Sequence, residues 1–163
     1  MKKLFVIVFC LLASIAKAQT EKPHLYYPEA DAEKDIAAAI KKAKAENKYV
    51  LLLGGGNWCG WCIEFEKFCK ADAKIDSVIN ASFVSYHLNW SNENENKKTF
   101  AKYGYAQRFG FPVFIILNEK GERIHTQNSE YLEDGNKSYN RNKVQAFFEM
   151  WSPNALNPKM YGD

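Results

Sequence analysis

The sequence predicts an α/β layered domain, and three observations predict it. Three short runs, Tyr49–Leu53, Phe83–Asn89 and Val113–Leu117, have strand length and are dominated by apolar residues, two of them almost wholly. Segments with apolar residues at helical spacing precede, separate and follow these runs. The polar stretch Asn118-Glu119-Lys120-Gly121 is turn chemistry that sends the chain back as a hairpin partner. The resulting order is helix, strand, helix, strand, helix, hairpin, helix.

The first 18 residues stand outside that order. Lys2 and Lys3 precede an apolar run from Leu4 to Ile15, and Ala16-Lys17-Ala18 closes it ahead of Gln19. A charged start, a short apolar centre and an A-x-A end describe a secretory signal peptide, residues 1–18, cleaved on export. The run is shorter than the roughly 20 residues a bilayer span requires. The expected location is the periplasm, or otherwise the medium, with no stable membrane insertion after cleavage. The roughly 145 residues that remain suit one domain with one core. Of the 22 basic and 19 acidic residues, cleavage removes Lys2, Lys3 and Lys17 and no acid. The mature chain is then balanced, which implies no strongly basic face and speaks against a nucleic acid partner.

Residues 19–30 read as a lead-in with two prolines, in which Leu25-Tyr26-Tyr27 suggests a short edge strand. A helix follows from Asp31, with Ile36, Ala39, Ile40 and Ala43 on one stripe and Asn47 as its end. Tyr49–Leu53 is the first strand, and a helix should run from the following Cys-Gly-Trp-Cys stretch to about Lys70. Asp72 is placed to cap a further helix carrying Ile75, Val78 and Ile79. The strand Phe83–Asn89 leads into Ser91-Asn92-Glu93-Asn94-Glu95-Asn96, read as a solvated loop, and a helical piece covers Phe100–Tyr103. After the strand Val113–Leu117 the hairpin returns over Glu122–Thr126. The polar loop 127–139 leads to a last helix from near Asn140, with Val144, Phe147, Phe148 and Trp151 as a core stripe that stops before Pro153. The domain is therefore bounded at 31–152, with 153–163 as a tail.

The chemistry concentrates in Gly54-Gly55-Gly56-Asn57-Trp58-Cys59-Gly60-Trp61-Cys62. Two cysteines three residues apart serve as half a zinc site, as a structural disulfide or as a redox pair. A zinc site wants about four ligands, and the sequence offers no second C-x-x-C and only scattered His24, His87 and His125. A structural disulfide closing so short a loop removes little chain entropy. A redox pair needs a device that stabilises thiolate, and the start of a helix supplies one in its unpaired N–H groups and dipole. Cys59 would sit there as the attacking thiol, and Cys62, one turn further in and more shielded, would resolve the mixed disulfide. The third mature cysteine, Cys69, shares a helical face with Phe65 and reads as a small buried hydrophobe, with a regulatory thiol as the sharper alternative.

A strand, W-C-G-W-C and a helix, followed by Gly110-Phe111-Pro112 before another apolar strand and hairpin, resembles the thioredoxin superfamily over roughly Asp31 to Trp151. The resemblance is greatest to exported single-domain members whose motif reads D-W-C-x-W-C. It implies the thioredoxin fold, a central mixed sheet flanked by helices on both faces, in a monomer. It implies thiol–disulfide oxidoreductase activity on protein disulfides or dithiols, with a redox partner protein and no cofactor beyond the Cys59–Cys62 disulfide itself. It also implies a cis bond before Pro112, with the Phe111 backbone presented to a substrate strand, and a substrate-facing site edge formed by Trp58, Gly60 and Trp61. Two departures stand out. Leu53 occupies the position where thioredoxins carry a buried aspartate, and His87 replaces a lysine near the site, unless it is simply a satisfied core histidine. Reduction is the expected direction, by resemblance to exported reductive members, since isomerases usually add a module that holds the misfolded client. The reading from a different class is a thioredoxin-fold binding or chaperone module whose cysteines do not turn over.

Overall fold

The computed structural model describes residues 24–162. The signal segment 1–18 and the lead-in up to 23 lie outside the described residues.

Capping sets most of the helix boundaries. Asp31 accepts a hydrogen bond from Lys34 N and opens α1, Ala32–Glu46, which Asn47 ends in the left-handed conformation. Strand β1, Tyr49–Gly55, follows, and then α2, Gly60–Ala71. Asp72 ends α2 and caps α3, Ala73–Ser82, accepting from Lys74 N and Ile75 N at 3.0 and 3.1 Å. Its other oxygen accepts from Arg141 Nε at 2.6 Å, so one carboxylate also ties α3 to the start of α5, Arg141–Met150. Strand β2 spans Phe83–Asn89 and α4 spans Lys97–Lys102. Strand β3 is Val113–Leu117, and β4 is Arg123–Asn128, a residue later in starting and two later in ending than the turn chemistry suggested.

The strands form one mixed sheet in the order β2-β1-β3-β4. Strand β1 lies parallel to β2 and antiparallel to β3, and β3 and β4 form the hairpin. The alternation of β1 and β3 divides the core between the two faces. Val50, Leu52, Val113, Ile115 and Leu117 pack against α1 and Phe100 of α4. Leu51, Leu53, Phe114 and Ile116 pack against Phe65 and Cys69 of α2, Ile75 of α3 and the Val144, Phe147 and Phe148 stripe of α5. This is the thioredoxin-type α/β arrangement expected, in a single domain.

Strand β1 runs two residues beyond Leu53, and glycine is required there. A Cβ on Gly54 would stand 2.8 Å from Val113 Cγ1, and one on Gly55 would stand 2.5 Å from Cys62 Sγ. The glycines let the strand end pass directly beneath the cysteines.

One expectation is corrected and another gains detail. Leu25-Tyr26-Tyr27 is not an edge strand. Asn57 takes the place of a neighbouring strand: its Oδ1 accepts from Leu25 N and Tyr26 N at 3.0 and 3.1 Å, and its Nδ2 donates to Tyr26 O at 2.7 Å. The 91–96 loop is a partly exposed loop, as expected, and it is tied down as well. Asn89 donates to Asn94 O, Asn96 donates to Asn89 O, and Asn94 Nδ2 reaches Pro28 O at 2.9 Å.

Candidate functional site

Local sequence explains why the cysteines lie where they do. β1 ends against the glycine run, and Cys59 becomes the N-cap of α2 in an extended conformation, its sulfur accepting from Cys62 N at 3.1 Å. Cys62 therefore falls in the first turn, and the two are joined in a disulfide with Cα atoms 5.3 Å apart. Both residues are nearly buried in this oxidised form, at 5% and 3% exposure. What distinguishes them is position: Cys59 Sγ faces the unpaired amides of the helix start, where a thiolate is stabilised.

The expected neighbours converge on the disulfide from two sides. Trp58 is 60% exposed, so it does not serve as core; its Nε1 donates to Trp90 O at 2.7 Å, and its ring meets Phe111 edge-on at 5.8 Å. Trp61 lies half-buried, its ring against Tyr139 at 5.4 Å and its carbonyl accepting from Tyr139 Oη at 3.0 Å. Gly60 has nothing within 4 Å of where a Cβ would be, which leaves the surface beside the cysteines open. The Phe111–Pro112 bond is cis, as the resemblance implies, with Pro112 buried. The Phe111 N–H and C=O pair with no other described residue, while β3 pairing begins at the next residue but one, Val113. Phe111, Trp58 and Trp61 thus stand around the disulfide, and the Phe111 backbone groups beside it are unspent among the described residues.

The remaining candidates lie further along α2 and on β2. Cys69 is buried between Phe65 and the sheet, and burial together with the nearby Glu66 carboxylate pushes its thiol well up, so it stays protonated and poorly nucleophilic. Cys69→Ala should cost on the order of 1 kcal/mol in a urea unfolding curve and leave disulfide exchange turnover at the native level. His87 sits on β2 opposite Leu53 of β1, with Nε2 3.4 Å from Glu66 Oε2 and no better hydrogen-bond partner among the described residues. It is neither a satisfied core histidine nor a direct neighbour of the cysteines. Its contact holds the Glu66 carboxyl below the usual carboxylate range despite partial burial.

Tyr26 and Glu66 were not singled out by the sequence. Tyr26 is 1% exposed and packs on Cys59 and Cys62, delivered there by Asn57. The one signal for Glu66 is its spacing, four residues after Cys62 and hence on the same face of α2. No group of three or more potential metal ligands occurs among the described residues. None of the described helices is long and apolar enough to cross a membrane.

A family model and a solved structure agree with the fold. A family model described as a thioredoxin-like domain matches residues 36–132. Among solved structures, the disulphide isomerase from Xylella fastidiosa Temecula1 superposes with a TM-score of 0.68 at 24% identity, over 78% of this chain and 95% of that one. The oxidised C-terminal domain of Neisseria meningitidis DsbD superposes with a TM-score of 0.49 at 17% identity, over 74% of this chain and 96% of that one. No curated protein matches the sequence.

Proposed function

The chain belongs to the thioredoxin-like domain family, as a thiol–disulfide oxidoreductase, and from that premise we propose that it is an exported reductase of protein disulfides. The observation that carries the proposal is the Cys59–Cys62 disulfide at the start of α2, beside a Phe111 backbone with unpaired N–H and C=O groups. A substrate strand pairs with Phe111 while Trp58 and Trp61 flank its cystine. The Cys59 thiolate attacks one substrate sulfur, the other leaves as a thiol, and Cys62 then displaces the bound sulfur and closes the disulfide. A redox partner protein returns the pair to the dithiol. Export to the periplasm is supported by the charged, apolar and A-x-A pattern of residues 1–18.

Insulin reduction with dithiothreitol is the direct test. The native chain should accelerate it and Cys59→Ser should not; equal rates for the two would leave a binding module as the reading. Direction follows from equilibrating the pair with glutathione. A reductase should come to rest mostly oxidised in a buffer poised near −200 mV, where an oxidant would be reduced. In the reduced protein at neutral pH, iodoacetamide should modify Cys59 well before Cys62; the reverse order would exchange their roles.

A further inference from the structure

We infer that Tyr139 is a positioning residue for the reaction: its hydroxyl, acting through the Trp61–Cys62 peptide, strengthens the N–H that stabilises the Cys59 thiolate. The inference rests on the disulfide-exchange reading above and adds to it the residue that tunes its nucleophile.

Two hydrogen bonds in series cross the start of α2. Tyr139 Oη donates to Trp61 O at 3.0 Å, and Cys62 N donates to Cys59 Sγ at 3.1 Å. The Trp61 carbonyl and the Cys62 N–H are the two ends of one planar peptide group. A donor on that carbonyl draws electron density from the nitrogen and makes its N–H a stronger donor in turn. It also fixes the plane of the peptide, which keeps the N–H aimed at sulfur. The Cys62 N–H is shared between Cys59 Sγ and the Cys59 carbonyl, each at 3.1 Å. The added polarisation therefore matters most when one of those acceptors becomes an anion. That happens when the disulfide opens and charge forms on Cys59.

The tyrosine bond is not part of the helix itself. A helical carbonyl is ordinarily satisfied by the amide four residues on, which for Trp61 is that of Phe65. The loop before α5 is built to deliver the extra donor. Glu133 and Tyr139 form an isolated bridge, and Asn140 N donates to Leu132 O at 2.8 Å. Ser138 Oγ donates to Glu64 Oε1 at 2.8 Å, a second tie to α2 one residue away. The Tyr139 ring is 3% exposed and lies against Trp61, Phe65 and Phe68. Burial first, and then the Glu133 charge, outweigh the Ser129 hydroxyl beside it and keep Tyr139 protonated, hence a donor. The other titratable groups that face it are Cys69 of α2 and Tyr26 of the lead-in. Tyr26 is also packed on both cysteines, and burial holds it protonated throughout the range in which Cys59 titrates.

Tyr139→Phe removes the hydroxyl and keeps the ring. Reduced full-length protein is treated with iodoacetamide across about pH 4–10, and modification of Cys59 is followed by mass. Coupling through one shared peptide is of order 10–30% of the bond it strengthens. For a charge-assisted bond that is roughly a third to half of a pKa unit. The Cys59 midpoint should rise by that much, with about a two- to threefold fall in thiolate on its acid side. The equilibrium with glutathione should move towards the protein disulfide by up to the same factor. Phe68→Leu disturbs the packing around Tyr139 and leaves its hydroxyl, so it should lower the urea midpoint while Cys59 titrates as in the native protein. In the native reduced protein, the NMR signal of the Tyr139 ring carbon that bears the hydroxyl should follow the Cys59 midpoint. An unmoved Cys59 titration in folded Tyr139→Phe, an equal shift in Phe68→Leu, or a Tyr139 signal flat through the Cys59 midpoint would each overturn the inference and leave the exchange reading intact. A native Cys59 that titrates as an ordinary thiol, in a protein that does not reduce insulin, would overturn both.

Discussion

Replacing Cys62 with serine should turn the protein into a trap, so that covalent complexes with substrate proteins accumulate in the cell that makes it. In the proposed reaction the helix start activates Cys59, and only the release step depends on the Cys62 sulfur. In the native protein the release is intramolecular, between residues whose Cα atoms are 5.3 Å apart. Effective molarities for well-oriented groups reach roughly 10⁵ M or more, so an outside thiol at millimolar concentration replaces Cys62 very slowly. Non-reducing gels of Cys62→Ser should show a ladder of bands that collapses with reductant, and Cys59→Ser should show none. Identical empty lanes for the two variants would count against redox turnover and for a binding module.

The second large effect is on stability. Phe65→Ala should cost about 3–5 kcal/mol, a large part of the roughly 5–15 kcal/mol that holds a domain of this size together. Phe65 is 1% exposed and is the meeting point of three elements, with ring centroids 4.4 Å from Phe114, 4.8 Å from Tyr139 and 6.2 Å from Phe148. No neighbour can swing into the space, because β3, the loop before α5 and α5 itself hold those rings from different sides. Urea denaturation measures the loss. Phe109→Ala, at the exposed end of the turn Ala106–Phe109, provides the contrast and should stay within about 0.5 kcal/mol. A cost below about 1.5 kcal/mol for Phe65→Ala would show that the aromatic cluster closes over the gap.

These two residues also mark how far the sequence could be read. Cys59 and Cys62 are legible because their spacing and the preceding apolar strand are local signals. β1 and β3 are legible because both of their faces are buried, which leaves an unbroken apolar run. α3 and α5 are announced by Asp72 and Asn140, whose side chains cap them. What stays hidden depends on partners distant in the chain. Tyr139 sits at the end of a loop that reads as polar, yet it is buried against Trp61, Phe65 and Phe68 and donates to the Trp61 carbonyl. Leu25 and Tyr26 have strand-like composition, but one asparagine side chain satisfies the amides that a strand would otherwise offer to a ladder. The position of His87 beside Leu53 follows from strand register, whereas its contact with Glu66 requires knowing how α2 is rotated over the sheet.

The Asn57 clamp bears on where this protein can be cut. A chain shortened to begin at Asp31 keeps every strand and helix, and by pattern alone it is the natural minimal domain. It would nonetheless lose both amides and the carbonyl that Asn57 holds, along with the tyrosine wedged beneath the cysteines. Asn57 would turn to solvent, the opening left by Tyr26 would admit water to the underside of Cys62, and the loop bearing Trp58 would keep its bond to Trp90 but lose the ties made by Asn57. Such a fragment should fold and still behave as a poor redox protein. In cloning or fusion work, residues 24–30 belong with the active-site loop, however much they look like a disposable leader.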